Sequence, residues 1–402
     1  MEKQKGHVSK DEVRLNTHSL NALGEKSGSM IPTDLIVEIL SRLPAKSIAR
    51  FCCVSKNWSF ILCRKDFTDL FLKMSSARPR LLFILQLKRK FLFLSTPQPL
   101  YPDQNSSPIV LDHYMSVSTE DSFFGVTRPV CGWLCSKDKN PMICNPSTGQ
   151  CITLPKVTLT EERLRVHTNL GYDPVDKLFK VLCVSKDGCR VLTFGNGEMS
   201  WRMIDCPVPH RPLRNGICIN GVLYYTAASP VNGMPYPIVM GFGHLMLTCF
   251  DIRFEKFTFL AVDDPILKAK LINYNGKLGA VLPSDSVSFF KGSTTSLQLW
   301  VLDDAENQKW SKHIYVLPPL WRDVVGNKTM LHIVGMSGAG EFVFAPNYHE
   351  FGPYIFFYNV VRDTVIRVEI QLGTVASKCP NIDTFVDHVQ DVKLMEALRR
   401  SS

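Results

Sequence analysis

The stretch of this 402-residue chain that comes nearest to a catalytic motif is Gly335-Met336-Ser337-Gly338-Ala339-Gly340. A serine nucleophile on a strand-to-helix elbow needs glycine two places to either side, and Ala339 occupies the second place. No helical pattern follows it, so a β-turn is the expectation. Cys131 and Cys135 are separated by three residues, with no second pair and no histidine at zinc-ligand spacing. The histidines, among them His113, His167, His210, His244, His313, His332, His349 and His388, stand alone. The acid pairs Asp263-Asp264 and Asp303-Asp304 fall where turns are expected, and solvated carboxylates are ordinary there. Neither a phosphate loop of the G-x-x-x-x-G-K-[ST] kind nor an H-E-x-x-H helix occurs. The expectation is therefore no catalytic residue, no metal ligand, no cofactor and no enzyme.

The chemistry that the chain does offer is apolar, and it lies near the amino end. Leu35, Ile36, Ile39, Leu40 and Leu43 fall at i, i+1, i+4, i+5 and i+8, a stripe along one side of a helix. Pro32 and Thr33 suit its start, Thr33 as a cap, and the charge of Asp34 suits its positive end. Pro44 stops it. A second helix is expected through Ser47, Ile48, Phe51 and Val54, and a third from Lys56–Trp58 towards Met74. So small a unit has more apolar side chains than it can bury in itself, which favours a partner that covers the surplus. The competing reading is a helical cap on a larger domain, since apolar stripes are more often core than interface.

From about Arg80 the pattern changes to short strands rich in aromatic and branched residues, such as LLFILQL, KVLCV, GVLYYTA, SLQLWVL and YIFFYNV. A strand, a polar turn and a second strand recur. With Asn145, Asn196, Asp251, Asp303 and Asn359 as markers, the gaps are 51, 55, 52 and 56 residues. Propeller blades of the kelch type repeat at about 50 residues. The first half of each unit is a hairpin turning at Gly132, Asn220-Gly221, Asn275-Gly276 or Gly338–Gly340. Asn-Gly pairs favour two-residue turns because both residues tolerate positive φ. Two hairpins per unit make a four-stranded blade. Five units are visible, and Arg80–Val117, closed by Asp383–Val392, would make a sixth.

Two resemblances follow. Ile31-Pro32-x-Asp34-Leu35-x-x-Glu38-Ile39-Leu40-x-Arg42-Leu43-Pro44-x-Lys46-Ser47-Ile48-x-Arg50-Phe51-x-Cys53-Val54-Ser55-Lys56-x-Trp58 resembles an F-box. Ile31 stands where that family usually has leucine, and Cys52 where a basic residue is common. The resemblance implies docking on a Skp-type adaptor and, through it, on a cullin–RING ubiquitin ligase. The residues it implies for that contact are Pro32, Leu35, Ile39, Leu40, Leu43, Pro44, Ser47, Ile48, Val54 and Trp58. The larger region resembles plant-type F-box-associated, kelch-like domains. It does so through Asn145-Pro146-Ser147-Thr148 with Leu154-Pro155, Leu170-Gly171-Tyr172-Asp173-Pro174 before Phe179-Lys180-Val181, Gly216-Ile217 with Asn220–Tyr224, and Phe250-Asp251 with Phe257. For most of these residues turn chemistry and blade packing are explanation enough.

The expected architecture is mostly β with a small N-terminal all-α module. Residues 1–29 read as a disordered leader, 30–76 as the three-helix F-box, and 80–395 as a β-propeller-like domain of about six blades. Net charge is +9, but the basic residues are scattered and no aromatic-basic groove is apparent, so no nucleic-acid partner is expected. No apolar run reaches the roughly eighteen residues of a membrane span, and the amino end lacks a signal-peptide core. Thirteen cysteines without a pairing pattern read as reduced thiols, hence nucleus and/or cytoplasm. The resemblance implies a substrate-recruiting subunit of a Skp–cullin–F-box ligase. The alternatives are a non-degradative adaptor-binding protein and a propeller enzyme. Propellers present variable loops at one end, and the segments 227–243, 322–329 and 347–353 would supply them. The aromatics in or next to them, Tyr236, Phe242, Trp321, Tyr348 and Phe351, are the candidates for contact with an unknown target.

Overall fold

The computed structural model describes residues 32–87, 90–100, 102, 108–118, 125–137, 139–161, 165–194, 199–229, 244–285, 289–346, 354–371 and 381–393. The expected leader, Ile31 and the aromatics Tyr236, Phe242, Tyr348 and Phe351 lie outside these residues. Among them, no helix is long and apolar enough to cross a membrane.

Four helices come first: α1 Thr33–Ser41, α2 Ala45–Cys52, α3 Lys56–Leu62 and α4 Lys65–Ser76. The single third helix expected from the sequence is two, broken at Cys63-Arg64, and Asp66 holds the Arg64 guanidinium at 2.6 Å beside the break. Pro32, not Thr33, is the cap of α1, and no side chain caps it. Ser55 does cap α3, accepting from the Trp58 amide at 3.2 Å. The α1 C-terminus is closed by Arg78, which donates to the carbonyls of Ser41 and Arg42, a cation where the helix dipole is negative. Leu40, Ala45, Ile48, Leu62, Phe67 and Phe71 form the core of this module.

Six sheets follow, arranged as the blades of a propeller and antiparallel except where Ile109–Val110 adds a short parallel strand to one outer edge. Blade 1 spans residues 125–153, blade 2 167–204, blade 3 211–260, blade 4 270–316 and blade 5 331–371. Blade 6 joins distant parts of the chain: Asn381–His388 is its inner strand, followed outward by Arg80–Leu87, Lys90–Pro97 and Asp112–Ser118. The ring is thus closed by pairing early with late sequence, as the expected sixth unit required. The five-residue helices Asp264–Lys268 and Trp321–Val325 lie in connections leading to inner strands.

The turns behave as their residues dictate. Asn220 and Gly221 have φ of 49° and 83°, Asn275 and Gly276 51° and 81°. Cys131 takes the asparagine position in blade 1 with φ 47°. At the outer hairpins, Asp251, Asp304 and Asn359 accept backbone N–H groups two or three residues on. The Asn196-Gly197 turn lies outside the described residues, although its flanking strands pair. Ser337, the would-be nucleophile, is buried in the hairpin closing the first half of blade 5, and its hydroxyl accepts the Glu341 amide.

In the propeller, the large clusters of buried apolar residues sit between neighbouring blades. The largest lies between blades 4 and 5 and includes Leu297, Leu299, Phe342, Phe344 and Tyr358. Between blades 2 and 3 the fit is tightest at Gly171, where a Cβ would meet Ile252 Cδ1 at 2.2 Å.

Candidate interaction surfaces at the two ends of the propeller

The stripe on α1 divides into two faces. Ile36, Val37, Leu40 and Leu43 pack into the helical module, with Leu40 only 5% exposed. Leu35 and Ile39, one turn apart, are turned to water at 48% and 55%. Among the other implied contact residues, Val54 is exposed at 67%, Pro32 and Pro44 are exposed, and Ser47 and Trp58 are half-buried. Ile48 is buried beside Ala45 and Leu62. The assignment of Leu40 and Ile48 as contact residues is corrected accordingly. A helix stripe wider than one neighbour can cover sends part of itself inward, as Leu40 does on α1, and Ile48 of α2 joins it in the core of the module. Phe60, 70% exposed on α3, was not singled out from sequence.

The opposite side of the module rests on the propeller. Val392 inserts into the helical core, and the Ala45 amide donates to Gln390 Oε1 at 3.1 Å. The Gln390 amide in turn donates to Ser75 Oγ at 2.6 Å, and its side chain donates to the Tyr114 hydroxyl. Lys177, in the first hairpin turn of blade 2, pairs with Asp69 at 2.7 Å. One residue along from Gln390, Asp391 accepts from the Trp133 indole at 2.8 Å while its carbonyl accepts from Asn145. Burial raises the Asp391 carboxyl above the usual range, and these bonds and the Lys393 amide hold it in place. The segment after the last inner strand therefore binds both the ring and the helices. Sequence reasoning had it only as strand-like; no local pattern marks a contact across more than 300 positions.

At the other end the structure corrects one expectation. Trp321 is 2% exposed, packed edge-on to Phe290 and Phe344, with its indole N–H donated to the Lys291 carbonyl. It fills the seam between blades 4 and 5 and offers no surface to a target. An aromatic in a connection is expected at the surface, but here a five-residue helix tucks it inward. Of the long segment 227–243, Ala227–Ser229 end a strand, and the remainder lies outside the described residues.

Comparison with known proteins bears on both parts. Residues 29–70 match the model of the F-box domain, and residues 80–389 match that of the F-box associated beta propeller domain. The chain belongs to the F-box proteins that carry this propeller. Among its relatives, F-box protein At3g49450 of Arabidopsis thaliana is 42% identical over 98% of this chain and 100% of its own length. F-box protein DOR of the same plant is 44% identical over 91% of this chain and 94% of its own. In this F-box protein, then, the four helices are the F-box and the six sheets the associated propeller. The domain pair and the relatives support, in general terms, a substrate-receptor role in Skp–cullin–F-box ligases, with the F-box as the adaptor-binding part.

Proposed function

We propose that this chain is a tether: its F-box docks on a Skp-type adaptor through Leu35, Ile39 and Val54, and its propeller holds a target protein for ubiquitin transfer. The observation that carries the reading is the exposure of Leu35 and Ile39 on a module already anchored to the propeller by its other side. Covering the half of each side chain now in water would contribute about 1 kcal/mol apiece. Leu43 and Pro44, at the end of α1, fix the turn that presents this face.

A receptor performs no chemistry; it raises the effective concentration of a target lysine beside a charged conjugating enzyme. Orientation matters to that gain, and α4 supplies it. Phe67 and Phe71 of α4 are buried in the F-box core, and Ser75 is bonded to the propeller. Action in the nucleus and/or cytoplasm, where such ligases would meet their targets, is part of the same proposal.

Full-length chain carrying L35D and I39D should release the adaptor while still holding its target, and the target's half-life should lengthen compared with wild type. A target whose half-life is the same with either chain, and insensitive to proteasome inhibition, would instead favour non-degradative binding.

A further inference from the structure

The inner strands of the blades all begin at one end of the ring. Their hairpin turns, together with residues 388–393 and the F-box, lie at the other. At the end where the strands begin, every blade contributes a charged or titratable residue. Blade 1 gives Arg128 and Lys137, blade 2 His167 with Arg165 just before it, and blade 3 Arg211 and Arg214. Lys270 opens the inner strand of blade 4, His332 is second in that of blade 5, and Asp383 third in that of blade 6. These groups feel one another: Lys270 faces Arg128, Lys137, Arg214, His332 and, as the one acid among the described residues, Asp383. Lys137 likewise faces Arg128 and Asp383, while His167 faces Arg211, Lys137 and Arg165.

Five of these cations have no carboxylate within ion-pair reach among the described residues. Among the described residues, the salt bridges within 4.0 Å involve none of Arg128, Lys137, Arg211, Arg214 or Lys270. Arg211 Nε, His167 Nε2 and His332 Nδ1 are buried without a hydrogen-bond partner. Arg128, Lys137 and Lys270 nevertheless keep water-accessible surface, and Arg214 and Asp383 are exposed. Accessible to water yet surrounded by protein is the situation of a group lining a narrow channel. Desolvation there pushes the Lys270 ammonium down to about 7 and Lys137 to about 8. Crowding several cations around one carboxylate costs free energy that a purely structural channel would avoid by pairing them.

We propose that this mouth of the central channel binds an acidic segment of the recruited protein, with Arg128, Lys137 and Lys270 accepting its carboxylates or phosphates. The proposal rests on the receptor reading and names the chemistry of the target. The five cations come from three different blades around the ring, so they suit a segment bearing several anionic groups better than one compact ion. The mouth also faces away from the F-box, which leaves it free while the adaptor is bound.

The test is fluorescence anisotropy of purified full-length chain with a short labelled Glu-rich peptide, against the same peptide with Gln for Glu. The Glu peptide should bind, and more weakly as salt rises. K137Q with K270Q should weaken it at least about ten-fold, the equivalent of about 1.4 kcal/mol. K256Q with K309Q, which removes the same charge from exposed outer-strand positions, should change it little. The channel variant should melt no lower than wild type, since it removes unpaired cations. Equal affinity for the Gln peptide, an unchanged channel variant, or full displacement by an equal concentration of inorganic phosphate would overturn the proposal. Adaptor binding is measured on the same preparation. Adaptor capture without peptide affinity defeats this inference alone, whereas peptide affinity without adaptor capture defeats the receptor reading.

Discussion

Lys270 shows how much one side chain can report. Its ammonium is held at about 7, chiefly by desolvation and then by Arg128, with Asp383 pulling the other way. In the unfolded chain the same group titrates near its ordinary value of about 10.4. Between these values the unfolded state binds more protons, so folding stability rises with pH through this window. Lys137, held at about 8, acts in the same direction. Buried thiols such as Cys183 and Cys249, pushed up to about 12, oppose it only above the ordinary thiol range of about 8.5. The melting temperature of wild type should therefore climb from pH of about 6.5 to about 8. K270M should melt higher at the acid end and climb less, and a K270M curve parallel to wild type would show that Lys270 is not enclosed. None of this was legible in sequence. A net charge of +9 spread along the chain looks like solvated surface, and only ring closure brings these residues together. Trp321 misled in the opposite sense, because a connection can be as buried as a strand.

At the scale of elements, local rules carried far. The recurrent Asn-Gly and Asp/Asn turns marked hairpins that do take positive φ or accept their own backbone amides. The blade spacing was readable because each blade repeats one turn chemistry. What local rules could not separate were the two faces of α1. Leu35 and Leu40 are equally apolar, and only packing against α4 and Val392 decides which is covered. The single helix expected from Lys56 onward is likewise two, broken at Cys63-Arg64. Blade contacts are the other invisible layer. Gly171 leaves room for Ile252 of the next blade, so G171A should destabilise by about 1–3 kcal/mol, an overpacking penalty. Urea unfolding of G171A, I252A and the double variant should show strong coupling, the double variant falling well short of the sum. Additive losses would mean that the two residues do not share that space.

Taken whole, the molecule is a ring whose two ends are built differently. One end is occupied by the F-box, held by Gln390, Val392 and Lys177 so that α1 offers Leu35 and Ile39 outward. The other gathers Arg128, Lys137 and Lys270 with Asp383, from blades 1, 4 and 6. Closure by Asn381–His388 matters to both, since the same late strand completes blade 6 and leads into the strap beneath the helices. The most direct measurement is a calorimetric titration of the full-length chain with a purified Skp-type adaptor, beside a variant carrying L35A, L43A and P44A. Wild type should form a one-to-one complex of micromolar or better affinity, about 8 kcal/mol, and the variant should give no measurable heat while its propeller melts as in wild type. A wild-type chain that fails to bind, or a variant that binds as tightly, would contradict the account.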